Sequence, residues 1–280
     1  MATFKSTCSA AADGRGPSQK VIGYSMYGKN FSEPNFYNLY LKSFTETLRT
    51  LPVKYPGWVV RIYHELKSDD VESWKVVDKV LDLGPNVSRA HIDLCNATQI
   101  IKDRKLGDLF EMTWRWLPML DELVDVLMSR DSDSAIYQRE MDAVAEWLAS
   151  NRTFHIMRDH PQHCLFFVGC CWGVKINQSR AEIVAIGQKM FAANHEHRKG
   201  YDQDLLINYF RPLASQSLIS HDSYCCGGFA SQPFPTPRVN YWFVGAPLKT
   251  PVQTLNVPCP EQCRPHNLTG PLAQANWTLC

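Results

Sequence analysis

The stretch Val124-Asp125-Val126-Leu127-Met128-Ser129-Arg130-Asp131-Ser132-Asp133 decides how the rest of the chain is read. Its first six residues are mostly apolar or β-branched, which predicts a buried strand, and the strand runs directly into two aspartates one residue apart. Upstream, Val21-Ile22-Gly23-Tyr24-Ser25-Met26-Tyr27-Gly28 reads as another buried strand, and Phe36 to Leu51 carries apolar residues at helical spacing. The turn Tyr55-Pro56-Gly57 leads into a strand, Trp58 to His64, then a helix, Ser73 to Leu83, and a third strand, Ala90 to Cys95. A helix from Leu106 to Leu120 precedes the diagnostic strand. Downstream come a helix, Tyr137 to Ala149, a strand from His155 toward Pro161, and the apolar segment Leu165 to Trp172. A helix near Arg180 to Ala193, another from Tyr201 toward Phe210, and a strand ending in Ser220-His221-Asp222-Ser223-Tyr224 follow.

This β-α-β-α-β alternation predicts one α/β domain: a mostly parallel sheet flanked by helices, with ligands beyond the carboxyl ends of the strands. Residues 1–20 lack periodicity and read as a flexible leader, 21–246 as the α/β domain, and 247–280 as a Pro- and Cys-rich extension. Length agrees, since 280 residues suit one large domain.

Composition excludes several classes. A formal charge of +1 gives no sign of a polyanion-binding surface, so nucleic acid is not expected as a partner. No apolar run approaches the roughly 20 residues that span a bilayer, and residues 1–20 lack the apolar core of a signal peptide. An anchor removed from the N-terminus stays open. Seven of the 13 asparagines begin an N-x-Ser/Thr sequon: Asn30, Asn86, Asn96, Asn151, Asn177, Asn267 and Asn276. Chance would give about one or two, so the excess points to glycan acceptors and the secretory lumen. Ten cysteines fit an oxidising compartment without revealing their connectivity. Cys259, Cys263 and Cys280 suggest a tethered tail, and the adjacent Cys170 and Cys171 are either bonded or buried thiols.

An Asp-x-Asp at the end of a buried strand lets two carboxylates reach one hard cation that also takes the phosphates of a nucleoside diphosphate. With these motifs together, the chain resembles the GT-A glycosyltransferases, especially the glycogenin-like retaining members. The resemblance spans about Lys20 to Gly245 and rests on the opening strand, Asp131-Ser132-Asp133, Asp202-Gln203-Asp204 opening a helix, and the late His221. It implies a Rossmann-like GT-A fold and Mn2+ or Mg2+ held by Asp131, Asp133 and His221. It also implies transfer of a hexosyl or N-acetylhexosaminyl group from a UDP-sugar to a hydroxyl of a glycan, glycoprotein or glycolipid acceptor, and with the sequons it places the protein in the secretory lumen, either in the Golgi or secreted. By the same resemblance Ser25, Tyr27 and Arg115 face the nucleotide, Arg158 and Asp159 bind the donor sugar, and Asp202, Gln203 and Asp204 lie beside the anomeric carbon.

The residues alone leave alternatives open. Tyr27 also suits a core, Arg115 a surface beside Trp114 and Trp116, Arg158 a structural pair with Asp159, Asp202 a helix cap, and His221 a capping site. The chain departs from the family pattern in Ser129-Arg130 before the metal motif and in His221-Asp222-Ser223-Tyr224. An inverting course stays open. So do a metal-dependent nucleotide-sugar hydrolase and a catalytically silent sugar-binding module. No Gly-x-Ser-x-Gly elbow, Gly-x-Gly-x-x-Gly fingerprint or phosphate-binding Gly-Lys-Ser/Thr loop is present.

Overall fold

The computed structural model describes residues 5–28, 31, 33–248 and 254–280. The sequon at Asn30, the first four residues of the expected leader, and 249–253 of the expected extension lie outside these described residues. Strand β1 (Gln19–Met26) follows a short helix α1 (Ala10–Gly14). Then come α2 (Pro34–Phe36), a π-helical turn (Tyr37–Leu41), α3 (Phe44–Lys54), β2 (Trp58–His64), α4 (Val71–Val80), β3 (Ile92–Asn96) and α5 (Ala97–Arg104). A 3-10 helix (Glu111–Leu120) leads into β4 (Val124–Ser129), followed by α6 (Gln138–Ala149), β5 (Phe154–Arg158), β6 (Trp172–Lys175), α7 (Arg180–Phe191), α8 (Tyr201–Ala214) and β7 (Leu218–Asp222).

The seven strands form one sheet in the order β3-β2-β1-β4-β6-β5-β7. All neighbours run parallel except the pairs that β6 makes with β4 and β5, so a single strand opposes the rest. Successive side chains of a strand face opposite sides. Accordingly Val21 and Ile22 of β1 enter two separate cores. One core holds Leu48 of α3, Val77 of α4 and Trp147 of α6; the other holds Ile100 of α5, Trp116, Ile183 of α7 and Phe210 of α8. The expected α/β sheet with helices on both faces is therefore what the chain builds.

The chain leaves β1 toward β2 and β3, then returns to place β4 on the other side of β1. Such a reversal splays the connections apart beyond the strands' carboxyl ends and opens a crevice there. The Asp131-Ser132-Asp133 motif emerges at this crevice because β4 ends at Ser129.

The described part of the expected leader is anchored rather than flexible. Cys8 is disulfide-bonded to Cys95 of β3, Arg15 pairs with Asp93 at 2.8 Å, and the Thr7 amide donates to buried Asp121 at 2.7 Å. Asp121 also neutralises Arg61, fully buried in β2, at 2.5 Å. Beyond β7 the described chain is irregular apart from two short 3-10 turns. Disulfides Cys164–Cys225, Cys226–Cys263 and Cys259–Cys280 tie it down, and Cys170 is bonded to Cys171. Gln232 lies against β7: its amide donates to Ser220 and its carbonyl accepts from Asp222.

Candidate functional site

A cavity of about 430 Å³ opens beyond β1 and β4. Ser25, Met26, Tyr27 and Gly28 form one wall, Arg130 to Asp133 another, and Phe36, Tyr40, Leu41 and Met112 supply apolar and aromatic surface. Arg115 reaches it from the 3-10 helix. That helix crosses close over β1: a Cβ on Gly23 would fall 2.1 Å from the Arg115 carbonyl oxygen, so only glycine admits the crossing.

Arg115 is the centre of the site's electrostatics. It is buried, its backbone amide donates to Ser25 Oγ at 3.0 Å, and its guanidinium is hydrogen-bonded to Asp131 Oδ1 and, at 3.0 Å, to Asp202 Oδ2. Burial opposes its charge, but Asp131 and Asp202 outweigh burial and hold its pKa above the ordinary value. Asp202, nearly inaccessible in the first turn of α8, has its carboxyl raised by burial, with Arg115 opposing. Burial pushes the Tyr27 hydroxyl up to about 12, so it is a neutral hydrogen-bonding group at physiological pH. Arg130 turns inward to Glu140 at 2.7 Å, and its charge is thereby matched.

Five expected site residues therefore share one cavity: Ser25, Tyr27, Arg115, Asp131 and Asp133, with Asp202 directly behind Arg115. The other expected residues lie elsewhere. Gln203 and Asp204 do not line the cavity, and Asp204 turns to Arg198 at 2.8 Å. Arg158 ends β5 and Asp159 follows it, and the two pair with different partners instead of each other. Arg158 binds Asp222 at 2.7 Å and Ser220 Oγ at 2.6 Å, under the Phe229 ring. Asp159 receives Arg139, Arg238, Ser223 Oγ and the Val244 amide, a latch holding the irregular chain after β7.

His221 is not gathered with the aspartates. Among the described residues no group of three His, Cys, Asp or Glu side chains is placed to hold a metal ion. The buried His221 ring meets His155 Nε2 at 2.9 Å, Glu146 Oε2 at 3.1 Å and Gln232 Nε2 at 3.2 Å. Its position in β7 turns it toward α6, which carries Glu146. Hydrogen bonding to His221 lowers the Glu146 carboxyl, and burial holds His155 well below the usual imidazole range. His221→Ala is thus expected to leave Mn2+ affinity unchanged and to lower the melting temperature, because His155 loses a buried partner. Calorimetric titration with Mn2+ beside a thermal melt checks this; weakened Mn2+ binding at unchanged stability would restore His221 as a ligand.

Sequence reasoning missed Ser132, Met112, Phe36 and Tyr40 as cavity residues, and Gly169 as the clearance for the Arg115–Asp202 pair. A Cβ at Gly169 would lie 2.6 Å from Asp202 Oδ2 and 2.8 Å from Arg115 Nη2. The Gly169-Cys170-Cys171-Trp172-Gly173 run was the available signal.

No protein-family model matches the chain, and no curated protein matches it. Among solved structures it is similar to the 4-diphosphocytidyl-2C-methyl-D-erythritol synthase of Anaerococcus prevotii, with a TM-score of 0.44 and 12% identity over 76% of this chain and 89% of that one.

Proposed function

We propose that the chain is a cation-dependent glycosyltransferase of GT-A type, moving a hexosyl or N-acetylhexosaminyl group from a UDP-sugar to an acceptor hydroxyl in the secretory lumen. The observation that carries this reading is the placement of Asp131, Asp133 and Arg115 around one cavity at the point where the strand order reverses.

The donor set fits a cation of one kind. Mn2+ and Mg2+ in phosphate-transfer chemistry are held by one or two carboxylates and complete their coordination with substrate phosphates and water, so a third protein ligand is not required. Asp131 and Asp133 would hold it. When bound, the cation supplies neutralisation of the negative charge that develops on a departing diphosphate. The chain's own residues do the rest. Arg115 presents a fixed, permanently charged fork to phosphate oxygens, and being buried it acts where water screens little. Tyr27, Phe36 and Tyr40 offer aromatic surface for a planar base. Asp202, which reaches the cavity through Arg115, is a positioning residue. The retaining course rested on Asp202-Gln203, and neither side chain lines the cavity.

Lumenal residence rests on two findings. All six sequon asparagines among the described residues are exposed, and all ten cysteines are paired. Asn96 also caps α5, its Oδ1 accepting from the Gln99 amide at 3.0 Å. A glycan attached at Nδ2 leaves that cap intact. Protein made in a secretory host should therefore lose mass at several sites on treatment with an N-glycan-cleaving enzyme; an unchanged mass would count against a lumenal life. The Golgi, as the compartment of glycan-building transferases, is part of the proposal.

The activity is tested by a thermal-shift panel of nucleotide sugars with and without Mn2+, where a bound donor stabilises as RT ln(1 + [L]/Kd). Product analysis of the matched donor follows. Sugar released at one rate with or without acceptor would make the protein a hydrolase. Binding with neither product would make it a sugar-binding module.

A further inference from the structure

Arg115 holds a carboxylate that the proposed cation needs. Its guanidinium bonds Asp131 Oδ1 on the cavity side and Asp202 Oδ2 on the buried side. The arrangement is built around: Gly23 and Gly169 each remove a Cβ that would strike Arg115 or its partner, and Ser25 Oγ receives the Arg115 amide. It is also unsaturated, since Arg115 Nε and Asp202 Oδ1 are both buried without a hydrogen-bond partner. Buried polar groups left unpaired are costly, which favours a second arrangement once a polar ligand arrives.

We propose that Arg115 exchanges ligands during donor binding: without donor it neutralises Asp131, and with donor it turns to a phosphate while Asp131 passes to the cation. The inference rests on the nucleotide-sugar reading of the cavity. Its physical basis is competition. A cation that arrives alone must displace a buried guanidinium from Asp131, and the displaced charge then faces it across a weakly screening site. A diphosphate supplies the negative charge that Arg115 gives up. Cation alone therefore binds weakly, and the free cavity keeps Asp131 capped until a phosphate is present.

The test uses Mn2+ and UDP as separate probes in calorimetry. Arg115→Met combined with Asp202→Asn removes one positive and one negative charge, so the net charge of the site stays as it was and only the hold on Asp131 is released. Mn2+ alone should bind this variant at least about fivefold more tightly than wild type, and UDP without metal at least about fivefold more weakly, within the usual range of coupling between sites. Opposite signs are the signature, because mere loosening of the site weakens both. If the double variant does not fold, Arg115→Lys keeps the charge but loses the planar fork that reaches two carboxylates, and should give the same opposite signs at smaller size. Mn2+ affinity unchanged or lowered in the folded variant overturns the proposal. The two failures are distinguishable. Wild type that binds neither probe, or binding that Asp133→Asn leaves intact, removes the donor reading and this inference together. Wild-type binding that depends on Asp133, with both affinities falling in the Arg115 variants, removes this inference alone.

Discussion

Asp133→Asn should lower transfer from a nucleotide sugar by at least about a hundredfold, the scale lost when a preorganised electrostatic contact to a developing anion is removed. The substitution keeps the side chain's size and cancels its charge. Asp133 stands at the cavity with its backbone carbonyl accepting from the Leu248 amide at 2.7 Å, an interaction that asparagine preserves. Folding should survive, because the motif lies outside both cores. The measurement is kcat/KM for transfer at several Mn2+ concentrations, beside the melting temperature in chelator. Wild-type kinetics at every concentration would remove Asp133 from the site. A rate recovered by high Mn2+ would show that affinity for the cation, and not its placement, had been lost.

Asp159→Ala should destabilise the fold by about 3–5 kcal/mol, the cost of breaking a buried ion pair from one side. Here the stranded charges are two, since Arg139 and Arg238 share this one carboxylate, and Ser223 and the Val244 amide lose their acceptor as well. Burial raises the Asp159 carboxyl, but the two guanidiniums outweigh burial and leave it below the ordinary aspartate value. The sign follows from that lowering. The native state binds the proton less readily than the unfolded chain, so this stabilisation is full above the ordinary aspartate range and is lost as acid titrates the carboxylate in the folded protein. Denaturant melts at neutral pH, with the slope unchanged, give the size of the effect. A donor-binding role would instead weaken nucleotide-sugar affinity at constant stability, and that outcome would reverse the assignment of Asp159 to the latch.

The elements legible in the sequence are those whose pattern is dictated by burial over a full element. β2 has the bounds its apolar run predicts, Trp58 to His64, and β4 ends where the run ends. β6 escaped notice because it is four residues long, buried on both faces, and opposed to its neighbours, so neither alternation nor the β-α rhythm marks it. The N-terminal segment looked featureless because its order comes from a disulfide and hydrogen bonds to Asp121, contacts that leave no periodic trace. In the candidate site, residue types were visible and directions were not. Residues 221 and 222 are adjacent in β7, yet one faces Glu146 and the other Arg158. Arg115 is legible as a basic residue on the helix before the Asp-x-Asp strand, while its grip on two carboxylates required the three-dimensional crossing over Gly23.

The two margins of the sheet bear on how the protein behaves at high concentration. An open strand edge is a template for a second copy, and repeated pairing of that kind leads to aggregation. At β7 the outer amide and carbonyl groups beside His221 are already taken by Gln232. At β3 the last residue is Asn96, an exposed sequon asparagine, and the preceding Cys95 is tied to the N-terminal segment. A glycan there would stand as a steric guard over the margin that the backbone leaves open. Such a glycan would keep neighbouring molecules from adding an eighth strand, and material made without glycosylation should be the form that self-associates.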